Sequence, residues 1–270
     1  MYIWNNQLLQ KMSEHQISDL FQGNGIFETM VMTEKARPLL WNRHIQRLKK
    51  GAQFLGAQLT LDSNELLKAV IKHFEQNKIV ICLRLNLIFL PQRNDLIVRF
   101  FPFQWPKNPV RLYVSQQHHR GNSPHYQYKT LSRIENSYYQ KLAKTHNYDD
   151  FLILDHHSNV LETCLANIFF VRNDGQIETP TAHNMPFLNG VVRQYLLDSQ
   201  KELRIKCIEK MIPLSAIEQY TQAFITNGLR LIQPVSQIGD VKFAQTDAIW
   251  DLRDAVLFEA NTSPTSGWQT

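Results

Sequence analysis

The chain has 270 residues, 43% of them hydrophobic and 20% charged, with 15 Phe, 9 Tyr and 5 Trp, enough for one large core or two ordinary ones. The net charge of +5 comes from Lys and Arg scattered among Asp and Glu, with no basic block, zinc-finger spacing or RNP-like motif; anionic small molecules, not nucleic acid, are the expected partners. No run reaches about 18 apolar residues, "MYIWNNQLLQ" lacks a basic region leading into a long apolar stretch, and Cys82, Cys164 and Cys207 are far apart, so a cytoplasmic protein with reduced thiols and no membrane span is expected.

In chain order, "GIFETMVM" (25–32) follows a "GNG" turn and is β-rich, which predicts a strand. Residues 41–57 carry Ile45, Leu48, Ala52 and Leu55 at three- and four-residue spacing, an amphipathic helix. A second helix follows over 62–77, opened by Asp62 or Ser63 as cap with Glu65 close behind. Strands are predicted at 78–90, 95–103 and 110–116. The polar "QQHHRGNSPH" then has no apolar period and reads as a linker over 116–125 between a small α+β domain (1–115) and a large one (126–270). The second half runs helix 130–146, strand 149–155, turn 156–159, strand 160–172, turn 173–176, helix 190–203, strand 205–212, helix 214–220 and strand 223–228, with "NTSPTSGWQT" as a loose tail.

Three features could carry chemistry. Lys129 lies in "SPHYQYKTLSRIENSYYQKL"; a lysine attacks carbonyls only when part of it is neutral, which takes burial or a neighbouring cation. Arg133 could be that cation, and Tyr126 and Tyr128 could enclose the site; by itself Lys129 reads as solvated surface. Glu162, inside "NVLETCLANIFF", is either a buried carboxylate that needs a positive partner or an edge-strand residue facing water. In "FLNGVVRQYLLD", a turn at Asn189-Gly190 feeds a helix whose first amides, at Val191 and Val192, suit a phosphate, as ordinary loop-to-helix junctions also do. The histidine pairs 118–119 and 156–157 fall in the linker and a turn and read as surface residues, so no metal is expected. A lysine for an imine, a carboxylate for a ring nitrogen and a helix end for a phosphate together match what pyridoxal phosphate requires.

The motifs "DLFQGNGIFET", "HIQRL", "KTLSRIEN", "LETCLANIFF", "LNGVVRQ" and "ITNGLRLIQPV", in that order, resemble the class IV (fold-type IV) pyridoxal-phosphate enzymes, which include branched-chain and D-amino-acid aminotransferases and 4-amino-4-deoxychorismate lyase. The resemblance implies a two-domain α+β fold, similar to D-amino-acid aminotransferase, with pyridoxal 5′-phosphate in the interdomain cleft, a small-molecule amine as substrate, and a homodimer. It makes Lys129 the lysine that bonds the cofactor and moves protons, Glu162 the partner of the pyridine nitrogen, and Arg47, with the backbone of Val191, Val192 and Gly228, the phosphate site. Glu28 falls where aminotransferases of the class place a carboxylate near the lysine. Thr29 and Asn227 fall on substrate positions of the lyase, and Arg93 is the only arginine near its usual Arg-Gly-rich loop. "KTLSRIEN" resembles the lyase pattern Lys-x-Leu-Asn-Arg-Leu-Glu with Ser132 in place of Asn, so the lyase of folate synthesis is the expectation and a class IV aminotransferase the alternative.

Overall fold

The computed structural model describes residues 2–4, 9–11, 23–91 and 94–262. The chain divides into two compact units: Met1–Trp105 with Tyr128–Ser132 and Ala260–Thr270, and Pro106–Gln127 with Arg133–Glu259.

The first unit is built on an antiparallel sheet of β1 (Tyr2–Trp4), β2 (Leu9–Lys11), β3 (Ile26–Met32), β4 (Leu83–Leu90) and β5 (Asp95–Pro102), in the order β2-β1-β5-β4-β3. Alternation along each strand gives the sheet two unlike faces. Ile26, Met30, Leu85, Leu87, Phe89 and Val98 form one face and are buried against α1 (Trp41–Phe54) and α2 (Ser63–Gln76). Gly51 lets α1 lie close, since a Cβ there would stand 2.9 Å from the Ile26 side chain. Asp62 caps α2, its carboxylate accepting from the amides of Asn64 (2.9 Å) and Glu65 (3.1 Å). The opposite face is mixed: the register aligns Phe27 with Ile88 and Ile97, Thr29 with Asn86 and Arg99, and Val31 with Arg84 and Phe101.

Residues 130–133 do not start the expected helix, which begins at Ile134. Phe27 N–H donates to the Lys129 carbonyl (2.9 Å), Leu131 N–H donates to the Gly25 carbonyl (2.8 Å), and Ile26 bridges Thr130. The segment thus pairs with the free edge of β3 through an isolated bridge, where backbone bonding is better than in one more helical turn.

The second unit contains β6 (Val110–His119), α3 (Ile134–Thr145), β7 (Asp150–Leu154), β8 (Val160–Thr163), β9 (Asn167–Val171), β10 (Ile177–Pro180), α4 (Val191–Asp198), β11 (Cys207–Lys210), β12 (Gln222–Asn227), β13 (Leu231–Ile238), β14 (Val241–Lys242) and α5 (Ala248–Thr262). The strands run β11-β10-β9-β12-β13-β6-β7-β8, with β14 on β13. β8 ends this path and β9 lies near its other end, yet only Cys164–Ala166 joins them, so the sheet curls back on itself. The resulting α+β architecture agrees with the expected fold class. Where a single strand was expected over 160–172, the Thr163 hydroxyl accepts from Ala166 N–H (3.0 Å) and ties a turn. The stretch 116–125, expected as a linker, continues β6 to His119 and then enters a 3-10 turn at Pro124–Gln127. The segment expected as a helix at 214–220 is a 3-10 helix, Leu214–Gln219. The tail expected from residue 261 begins inside α5, and 263–270 lie outside the described residues. Among the described residues no helix is long and apolar enough to cross a membrane.

Candidate active site

In the first unit, Lys129 and Phe27 are cross-strand neighbours, and the lysine ammonium sits 4.5 Å from the centre of the Phe27 ring. Thr29, two residues along β3, faces the same side, about 7 Å away by strand geometry. The period of two therefore brings the predicted lysine and hydroxyl onto one surface. Tyr128, expected to enclose the lysine, instead turns to the helix side and stacks on Phe54 (4.0 Å, 13°).

Glu28 points to the helix side as well. It is 1% exposed, and its two oxygens are taken: Arg47 Nε donates to Oε1 (2.7 Å), Arg47 Nη2 to Oε2 (2.6 Å), and His44 Nδ1 lies 2.7 Å from Oε2. Burial by itself would raise this carboxyl, but the Arg47 guanidinium, and then His44, outweigh it and hold it at about 2. Burial pushes His44 below its ordinary value, the Glu28 charge opposing. The α1 periodicity explains the cluster, because His44 and Arg47, three apart, lie on one face of the helix. The bidentate pair occupies Nε and Nη2 of Arg47 and leaves Nη1 outside it.

In the second unit, Glu162 is buried beside Arg120, whose Nη1 donates to Oε1 at 2.6 Å. This decides between the two readings of Glu162 in favour of the buried, paired carboxylate. Burial lifts its carboxyl above the ordinary range and the Arg120 guanidinium pulls against that. Arg120 itself is 2% exposed; its Nε donates to Glu135 (3.0 Å), whose other oxygen accepts from the Tyr126 hydroxyl (3.1 Å), and the guanidinium lies over the Tyr126 ring (4.4 Å). Arg133 donates to the Cys164 carbonyl (2.9 Å). Sequence reasoning missed Arg120 because "HHRGN" reads as a polar linker. The signal available was the need of a buried Glu162 for a cation.

Asn167 organises the start of α4. Its Oδ1 accepts from Gly190 N–H (3.0 Å) and its Nδ2 donates to the Leu188 carbonyl (2.7 Å). Only glycine fits at 190, where a Cβ would stand 2.1 Å from Asn167 Oδ1. The first helical residues are Val191 and Val192, both buried, and the first backbone bond across the helix start runs from Gln194 N–H to the Gly190 carbonyl (2.9 Å). The earlier amides are positioned for an anion. Thr226 pairs directly with Asn167 across β12 and β9, so both side chains share a face. Its hydroxyl is buried without a hydrogen-bond partner among the described residues. An orphaned hydroxyl on the side of unpaired amides suits an oxyanion such as a phosphate. Thr226 was overlooked beside Asn227 and Gly228 in "ITNG". Asn227 caps the turn that contains Gly228: its Oδ1 accepts from Leu229 (3.0 Å) and Arg230 (2.8 Å) N–H, and its Nδ2 donates to the Leu165 carbonyl (3.1 Å). Arg93, expected near the substrate, lies outside the described residues.

These two clusters can be set beside known proteins. The amino-transferase class IV family model matches residues 25–238. A Rickettsia felis protein named as a probable branched-chain-amino-acid aminotransferase is 28% identical over 240 residues, which cover 84% of this chain and 79% of that one. The aminodeoxychorismate lyase of Bacillus subtilis is 24% identical over 236 residues, 82% of this chain and 80% of that one. Among solved structures, a hypothetical aminotransferase from Mycobacterium tuberculosis, in a PLP-bound form, shares the fold with a TM-score of 0.78 at 18% identity, over 90% of this chain and 91% of that one.

Proposed function

The chain belongs to the class IV aminotransferase family, and from that premise we propose that it carries out the lyase reaction of the family, releasing pyruvate and 4-aminobenzoate from 4-amino-4-deoxychorismate. Its cofactor is pyridoxal 5′-phosphate, which when bound draws electrons from the substrate carbon that bears nitrogen. Lys129 would be the residue that holds the cofactor covalently, and its amine would be the base for the proton on that carbon. Glu162, oriented by Arg120, would be the carboxylate that meets the pyridine nitrogen and keeps a proton there. The amides of Val191 and Val192, the Thr226 hydroxyl and the backbone of Gly228 would hold the phosphate, with Arg47, kept in place by Glu28, as a further cation. Thr29 donates a proton to the departing oxygen.

The observation that carries this reading is the shared sheet face of Lys129 and Thr29. Glu28, the carboxylate that would favour amino transfer, is turned to the other face with both oxygens bonded. Amino transfer to a 2-oxo acid remains the second reading, favoured by the name of the Rickettsia felis relative.

The test is a visible spectrum of the purified protein before and after borohydride, repeated on Lys129→Ala, followed by assay with aminodeoxychorismate and with D- and L-amino acids. Pyruvate release from aminodeoxychorismate is expected. Conversion of the cofactor by D-alanine or leucine without pyruvate release would move the chain to the aminotransferases. Borohydride attachment that persists in Lys129→Ala would remove the lysine from its role.

A further inference from the structure

The mixed face of the first unit's sheet carries a patch that the proposed reaction does not yet use. Arg84 and Arg99 both lie against the Phe101 ring, their guanidinium carbons 4.4 and 4.6 Å from its centre. The register explains why: Phe101 stands directly across from Arg84 and two residues from Arg99 on the same face. Asn86 stands between Thr29 and Arg99 in the next row.

Two like charges gathered on one ring are unfavourable unless an anion answers them. Among the described residues none of the chain's own carboxylates pairs with either guanidinium. Burial, and then the Arg84 charge, push Arg99 below its ordinary value. Arg84 Nε and Asn86 Oδ1 are buried without a hydrogen-bond partner among the described residues. Native proteins rarely leave such groups unmade without a use for them. The face is the one that carries Lys129 and Thr29, and Thr29 is the direct neighbour of Asn86.

We propose that Arg84 and Arg99, with Asn86 beside them, form a carboxylate-binding subsite that selects substrates carrying two carboxylates. The planar forks of two arginines match carboxylates in shape, and an uncompensated double positive charge matches a dianion in charge. The subsite also supplies the anion recognition for which the sequence had offered only Arg93. The inference deepens the proposed function and rests on it only in taking substrate to react at Lys129.

Calorimetric titration of the cofactor-loaded full chain tests it with glutarate and isophthalate against the matched monocarboxylates pentanoate and benzoate, and with inorganic phosphate as a competing oxyanion. The dicarboxylates are expected to bind at least about 10-fold more tightly than their partners. That preference is expected to vanish in Arg84→Gln and Arg99→Gln and to survive in part in Arg99→Lys, which keeps charge but loses the fork. Without ligand, Arg99→Gln is expected to melt higher than the unsubstituted protein, because it relieves repulsion. Equal binding of mono- and dicarboxylates, tighter binding of phosphate, retention of the preference in both Gln variants, or a lower melting point in Arg99→Gln would each overturn the subsite. The mono- against dicarboxylate comparison is repeated on the full chain without added cofactor, so failure to take up pyridoxal phosphate would sink the enzymatic reading and leave that comparison standing.

Discussion

Replacing Glu28 with Gln removes the charge that two cationic neighbours hold in a buried site. The expected loss follows from its ionisation. The carboxyl drops from 4.5 to about 2 in the folded chain. At about 1.4 kcal/mol per pH unit that is on the order of 3 kcal/mol. Removing one partner of a buried ion pair costs about 3–5 kcal/mol, a similar figure by a separate route. A folded value below the unfolded one means that this stabilisation is complete above pH 4.5 and is lost as pH falls through about 2. Urea unfolding of the two proteins from pH 7 to pH 2, followed by the fluorescence of tryptophans that include the buried Trp41 at the head of α1, reads the difference directly. The expected gap is about 3 kcal/mol at pH 7, narrowing steadily below pH 4.5. A gap that stays constant down to pH 2 would refute the ionised clamp. The same ionisation leaves Glu28 no proton to exchange near neutrality, so no limb of an activity profile between pH 5 and 8 is expected to belong to it.

Two further substitutions probe the second unit. Arg120→Met strands the buried Glu162 and the half-buried Glu135 carboxylates without their cation, at a cost of about 3 kcal/mol at pH 7. Burial already raises Glu162, so loss of the arginine raises it further, and a raised acid is destabilising as pH climbs through its folded value; the deficit is therefore expected to shrink from pH 7 to pH 5, and a deficit independent of pH in urea titrations would contradict the pairing. Thr226→Val replaces an orphaned hydroxyl with a methyl of similar shape and is expected to raise stability by about 1 kcal/mol in thermal unfolding. The same variant is expected to bind pyridoxal phosphate several-fold more weakly while binding pyridoxal unchanged, and an equal loss for both would detach Thr226 from the phosphate.

Local pattern carried much of the fold. Strand β3 stands where β-rich composition after the GNG turn predicts it, and α1 and α2 follow their apolar spacing and the Asp62 cap. What local pattern could not carry was pairing at a distance. Residues 128–132 sit before a helix and share its composition, but the open edge of β3, a hundred residues earlier, captures them. Arg120 lies in a stretch with every mark of a linker, and only the far-off Glu162 makes it a core residue. The turn at Thr163 that splits the expected long strand likewise rests on a side-chain bond that apolar pattern does not report. Within the candidate site, residue types were legible where a motif named them, as with Lys129 and Glu162. Arg84 and Arg99 gain their meaning from strand register, which aligns residues fifteen positions apart on one ring.

The return of Tyr128–Ser132 to the first unit also bears on how this protein can be divided. A cut after Trp105 would leave the sheet of residues 1–105 without the segment that carries the lysine, with the Phe27 N–H and Gly25 carbonyl unanswered beside β3. A bare edge of that kind recruits other strands, so the fragment would be prone to stick to copies of itself. Shuffling or truncation that treats the first hundred residues as a module would break the sheet and strand the nucleophile on the other piece. The smallest heritable unit of this architecture is thus the threaded pair, neither half of which is contiguous in the gene's reading order.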